Sequence, residues 1–145
     1  TQAAERHSAG AVLAIQRVPK DAVSKYGIIK GKRIGDRAYD VSDMVEKPRP
    51  EKAPSDLAII GRYILPPSIF PALQATRPGA GGEIQLTDAI RSLIGRERVI
   101  GYEFEGVRYD AGTKLGFQMA NIAFALKDPE IGPGLQAFLR KERFV

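Results

Sequence analysis

The chain has 145 residues, 43% of them hydrophobic, and a formal charge of +5, a size that suits one buried core and one domain. It contains no cysteine, which excludes disulfides, thiolate nucleophiles and thiolate metal sites, and with them most redox chemistry. No apolar run is long enough to cross a bilayer and the opening residues lack the order of a signal peptide, so a cytoplasmic protein without membrane contact is expected.

The apolar run Ala11 to Val18 (AVLAIQRV), closed by Pro19, predicts a strand. It has no strand partner before it. Tyr26 to Lys30 and Tyr39 to Glu46 predict two more strands, joined by a segment with hairpin chemistry around Gly31 and Gly35. The cations of that segment, Lys30, Lys32, Arg33 and Arg37, alternate with glycine, isoleucine and aspartate rather than forming a stripe with aromatic residues. This favours a solvated hairpin over a nucleic-acid face, and no nucleic-acid partner is expected. Lys47 to Pro54 (KPRPEKAP) holds three prolines and predicts an extended, non-helical connection.

Leu57 to Leu65 predicts a buried strand with a close backbone approach at Gly61. A helix should follow with Ser68 as N-cap, which puts Pro71 at the third helical position, where its missing N–H does no harm. Leu86, Ala89, Ile90, Leu93 and Ile94 recur at helical spacing and stop at Gly95. Val99 to Phe104 predicts a strand. Leu115, Met119, Ile122 and Leu126 predict a helix opened by Thr113 and ended before Pro129, and a last amphipathic helix covers Leu135 to Arg143.

Strands interleaved with helices indicate an α/β domain. A chain opening on an apolar strand reads as a cut through a larger sheet, so an exposed parallel edge is expected, with instability or self-association as its consequence.

Met44 to Pro48 reads MVEKP, a carboxylate beside an ammonium where proline stops a strand. Neighbouring strand residues point to opposite faces, so Glu46 and Lys47 can meet one ligand only at the strand end. Two readings stand: a site where Glu46 takes sugar hydroxyls and Lys47 a phosphate, or a solvated pair contributing about 0 to 1 kcal/mol. Gly79, Gly81 and Gly82 precede a helix and fit either a phosphate cradle or a tight turn; no Lys-Ser/Thr follows, so this is no P-loop. Asp110, in RYDAGT, is the one strong metal candidate, and the same residues suit a turn or helix start. His7, the sole histidine, has no acid–base partner in sequence and reads as a surface residue.

The segments VSKYG (Val23 to Gly27), MVEKP, LAIIGRYIL (Leu57 to Leu65), GAGGEIQLTDAI (Gly79 to Ile90) and YEFEGVRYDAGTKLG (Tyr102 to Gly116) resemble, in order and spacing, those of bacterial UTP:glucose-1-phosphate uridylyltransferases. The resemblance runs across nearly the whole chain, and it is closer to the uridylyl group than to related thymidylyltransferases. It implies a Rossmann-like nucleotide-diphospho-sugar transferase fold, of which residues 1–145 would be the C-terminal, sugar-phosphate-binding part of one nucleotidyltransferase domain: a mixed sheet with flanking helices. The N-terminal part, with the glycine-rich nucleotide loop, the catalytic lysine and the first magnesium aspartate, would be absent. No catalytic residue and no uracil-reading residue is then expected here.

The resemblance further implies that the full protein joins UTP and glucose 1-phosphate into UDP-glucose and pyrophosphate with Mg2+, and that it is a homo-oligomer. By matching position Glu46 would accept hydrogen bonds from glucose hydroxyls, Lys47 would hold the sugar phosphate and the Gly27 backbone would approach the sugar. Glu83 and Gln85 would stand behind these contacts, and Asp110 would lie near the metal. Many relatives carry cysteine where this chain has Ala111, a departure without consequence for ligand binding. The alternative is a free-standing sugar-phosphate-binding or regulatory module without catalysis.

Overall fold

The computed structural model describes residues 2–79 and 82–144, and the chain divides into two compact units, 1–104 and 105–145. The first unit contains α1 (Gln2–Arg6), β1 (Ala11–Arg17), β2 (Gly27–Arg33), β3 (Ala38–Glu46), β4 (Leu57–Ile64), α2 (Ile69–Ala75), α3 (Leu86–Leu93) and β5 (Val99–Glu103). The second contains α4 (Lys114–Ala125) and α5 (Gly132–Lys141).

The five strands close into a ring in the order β1-β4-β2-β3-β5, with β5 returning parallel to β1 from Ala11↔Val99 to Ile15↔Glu103. The expected exposed edge is therefore corrected: β1 has β4 on one side and β5 on the other, and both its backbone ladders are used. Alternation along β1 sends Ala11, Leu13 and Ile15 into the core, where they meet Ile29, Met44 and Ile59 and the helix residues Ile90 and Leu93. Burying each large aliphatic side chain is worth about 1.5–3 kcal/mol, so this one cluster dominates the stability of the unit.

Arg17 locks one end of the ring. Its guanidinium donates to both oxygens of Asp56 at 2.8 Å and to the Tyr39 hydroxyl at 3.0 Å, and Tyr39 in turn donates to Glu103 at 3.2 Å. Residues from β1, β3, β5 and the approach to β4 are thus held by one network.

Several local expectations change. Gly31 lies within β2 at a register shift, where a Cβ would come within 2.9 Å of the Asp40 carbonyl oxygen, and the turn itself is closed by Ile34 N–H donating to Ala38 O. Gly61 meets nothing within 4 Å; its φ of +75° is what requires glycine. It sits where β4 places residues 60–62 opposite the single residue Ala14, a bulge between Leu13↔Tyr63 and Ile15↔Ile59. The proline-rich connection contains a 3-10 turn at Pro50–Lys52, with proline at its start.

The expected helices form, with adjusted ends. Ser68 precedes α2, but its hydroxyl donates to Glu97 at 3.2 Å instead of accepting from the helix. Gly95, at φ +93°, follows α3. Thr113 caps α4 by accepting from Gly116 N–H at 3.0 Å. None of the α4 residues is buried, and Leu115 is 72% exposed. In α5 the helix starts at Gly132, with Pro133 in its first turn, earlier than Leu135.

Candidate functional site

Strand β3 ends at Glu46, and the next residue, Lys47, has φ +46°. Its N–H still donates to Tyr26 O at 3.0 Å, so the ladder to the neighbouring strand continues for one more residue while the chain turns left-handed. This turn breaks the alternation that would separate adjacent side chains: Lys47 Nζ stands 3.9 Å from Glu46 Oε1. The left-handed region costs a residue with a Cβ about 1–2 kcal/mol. Lys47 is 60% exposed, so the ion pair returns little of that cost, and both groups remain within reach of a ligand.

Glu46 is otherwise well held. Its Oε2 accepts from the hydroxyl of Thr87 at 2.5 Å. Thr87 lies in the first turn of α3, is 6% exposed, and reaches across to the end of β3. Gly27 pairs with Glu46 in the β2–β3 ladder and is buried; a Cβ there would lie 3.0 Å from Glu46 Oε2 and 3.1 Å from Thr87 Oγ1. The space that a side chain at position 27 would fill is taken by this carboxylate and hydroxyl.

A second tie fixes the helix to the strand. Arg91 donates to both oxygens of Asp43, at 2.6 and 3.2 Å. The Arg91 hydrogen bond, aided by the Met44 N–H and opposed by burial, holds the Asp43 carboxyl below its ordinary value of 3.8. Thr87 and Arg91 are four residues apart on α3, and Glu46 and Asp43 three apart on β3, so two residue pairs, joined by three hydrogen bonds, cross one helix–strand contact. Neither Thr87 nor the Asp43–Arg91 pair is evident from the sequence motifs. No local signal could have found them, because the partners lie 41 and 48 positions apart.

Tyr63 of β4 feels this site. Burial, and after it the negative charge of Glu46, pushes its phenol above the ordinary value of 10.0. Tyr63 also lines an open cavity of about 570 Å3 with Val12, Ala14, Tyr102 and Phe104, which Glu46 and Lys47 do not line.

The glycine segment before α3 turns back on itself: Gly82 N–H donates to Gly79 O at 3.0 Å and Gly79 N–H to Glu83 O at 2.9 Å. Gly82 has φ +77°. This is the tight-turn geometry for the described glycines; Gly81 lies outside the described residues. Glu83 is exposed beside this turn. Gln85 is the N-cap of α3, and its carbonyl accepts from Asp88 and Ala89 N–H. His7 is half-buried, its carbonyl accepting from Arg98 at 2.8 Å.

Asp110 belongs to the second unit and is exposed. Its Oδ1 accepts from Gly112 N–H at 3.1 Å and its carbonyl from Thr113, so it shapes the turn into α4. Among the described residues no group of three or more histidine, aspartate or glutamate side chains could hold a metal ion. One hard carboxylate fits magnesium only where phosphates and water supply most of the shell.

The profile of the nucleotidyl transferase family matches residues 1–125. The chain is 52% identical over 128 residues to a UTP:glucose-1-phosphate uridylyltransferase of Streptococcus pneumoniae, covering 88% of this chain and 43% of that one. A Staphylococcus epidermidis protein of the same name is 47% identical over 130 residues, 90% of this chain and 45% of that one. Among solved structures, a UDP-glucose pyrophosphorylase complexed with UDP-glucose superposes with TM-score 0.82 at 45% identity, over 88% of this chain and 48% of that chain. A UTP-bound enzyme from Acinetobacter baumannii gives 0.82 at 32% identity, over 95% and 47%. The chain thus spans about half the length of the relatives it matches.

Proposed function

Because the chain belongs to the nucleotidyl transferase family, we propose that it supplies the sugar-phosphate half-site of a UTP:glucose-1-phosphate uridylyltransferase. Residues 1–145 are, on this reading, the C-terminal part of one nucleotidyltransferase domain whose N-terminal part binds the nucleotide. The observation that carries it is the left-handed Lys47, which sets an exposed ammonium 3.9 Å from a carboxylate whose other oxygen is already fixed. A phosphate monoester needs the first group, and the hydroxyls of the attached sugar need the second.

In the reaction, an oxygen of glucose 1-phosphate forms a bond to the α-phosphorus of UTP while the bond to the leaving pyrophosphate breaks. Lys47 orients the attacking phosphate and offsets its charge; Glu46 fixes the sugar. The Gly27 backbone lies at the sugar's edge, with Glu83 and Gln85 behind it. Asp110 would offer magnesium one hard carboxylate oxygen, and the ion would supply neutralisation of phosphate charge. The protein works in the cytoplasm, in carbohydrate metabolism, as a homo-oligomer, a state supported by the exposed apolar side chains Leu115, Phe117 and Phe124.

Titrating the chain with glucose 1-phosphate, followed by amide NMR, tests the reading. Shifts should centre on Lys47 and Gly27, Lys47→Ala should remove them, and Glu46→Gln should weaken binding about tenfold. Unchanged binding in both variants would refute it.

A further inference from the structure

We propose that Thr87 is a positioning residue for sugar recognition: its hydroxyl ties up one oxygen of Glu46 so that the other faces the ligand beside Lys47. The inference rests on the sugar-phosphate reading and adds the group that makes Glu46 selective.

A glutamate at a strand end has three rotatable bonds and costs entropy to hold in one place. Here three independent features hold it. Thr87 donates to Oε2 at 2.5 Å, from a side chain that is nearly inaccessible. Gly27 leaves the room in which that bond is made, since a Cβ would crowd both partners. The Asp43–Arg91 bonds keep α3 pressed to β3, which fixes the distance from which Thr87 reaches.

The hydroxyl proton is the reason for threonine at this position. A carboxylate can only accept hydrogen bonds, so its neighbour must donate. Thr87 donates to Oε2 and leaves Oε1, 3.9 Å from Lys47 Nζ, as the oxygen that meets a sugar hydroxyl. Without the Thr87 hydroxyl, Oε2 has lost its donor and the carboxylate is free to rotate out of the position that meets the sugar, leaving the sugar unread while the exposed ammonium of Lys47 still meets the phosphate.

This makes a prediction that a purely structural role does not. Thr87 acts on the sugar hydroxyls through Glu46, and Lys47 acts on the phosphate. The chain and its variants are titrated separately with glucose 1-phosphate and with inorganic phosphate, again by amide NMR, with thermal unfolding as a check on folding. Thr87→Val, which keeps the shape and removes the hydroxyl, should weaken glucose 1-phosphate about tenfold while phosphate binding holds or strengthens. Thr87→Ser should restore the wild-type preference. In a Glu46→Ala background, Thr87→Val should have no further effect.

Equal weakening of both ligands by Thr87→Val, or failure of Thr87→Ser to rescue, would assign Thr87 to packing alone and overturn the inference with the sugar-phosphate reading intact. A wild-type chain that binds neither ligand would overturn both. Should Thr87→Val fail to fold, the serine variant and the Glu46→Ala comparison with phosphate carry the decision: a serine variant that loses preference for the sugar ester overturns the proposal, and one that keeps it supports it.

Discussion

Lys47 holds a backbone conformation that an L-residue adopts at a cost of about 1–2 kcal/mol, and nothing in its own packing returns that cost, since the side chain is 60% exposed. Strain kept at an exposed lysine beside a buried hydrogen bond is what a ligand site looks like when stability is given up for geometry. The trade can be measured. Glycine adopts φ +46° freely but loses roughly 0.5–1 kcal/mol more entropy on folding, so Lys47→Gly should unfold at a slightly higher temperature than Lys47→Ala, by less than about 1 kcal/mol in stability. Both variants should lose glucose 1-phosphate. A glycine variant no more stable than the alanine variant would mean that no strain is stored here. The MVEKP motif makes this residue pair legible in the sequence, but not the conformation: alternation along a strand argues against the two side chains meeting, and only the left-handed turn after the last strand residue reconciles the pattern with the proximity.

Between elements, the contact of α3 with β3 decides whether the site is rigid. Asp43 and Arg91 make a two-point ion pair, with side chains 36% and 52% exposed, so solvent screens it and a contribution of about 0.5–1 kcal/mol is the reasonable expectation. Its pH dependence has a definite sign. A carboxyl whose folded-state pKa is depressed stabilises the fold above its unfolded value, here the ordinary 3.8, and that contribution disappears as acid drives it through the lower, folded-state pKa. In urea unfolding, Asp43→Asn should therefore be less stable than the wild type at neutral pH, and the two should converge in acid below that value; parallel curves would show that the pair is not coupled to folding.

The sequence foretold α3 well, because five apolar residues at helical spacing end at Gly95, yet it did not disclose the polar bonds to β3. Those join residues 41 and 48 positions apart, and no local spacing announces a partner at that distance. The helix α1 and the 3-10 turns at Lys20–Lys25 and Pro50–Lys52 were missed for a different reason: they are short and have no apolar period to betray them.

At the scale of the molecule, the closed ring changes what the chain can be expected to do by itself. Strand β1 was legible as a strand but its surroundings were not, because its parallel partner β5 is some eighty-eight residues away, at Ala11↔Val99, and the pairing leaves no trace in local composition. With both sides of β1 paired, the edge-driven aggregation expected of a severed sheet loses its cause.

On the half-site reading, a well-paired first unit supplies only one side of the reaction. Transfer of a nucleotidyl group requires the attacking phosphate and the nucleotide to be aligned in one site, and most of the acceleration comes from that alignment and from charge stabilisation at the α-phosphorus. On that reading the chain offers its ammonium and carboxylate to the sugar phosphate, and it spans 43–48% of the relatives named above. With UTP, magnesium and glucose 1-phosphate supplied together, the 145-residue chain should release no pyrophosphate above the uncatalysed background, while still binding glucose 1-phosphate through Lys47. Steady pyrophosphate release, lost on Lys47→Ala, would show that both substrates are aligned by these residues alone and would remove the division of labour on which the half-site reading depends.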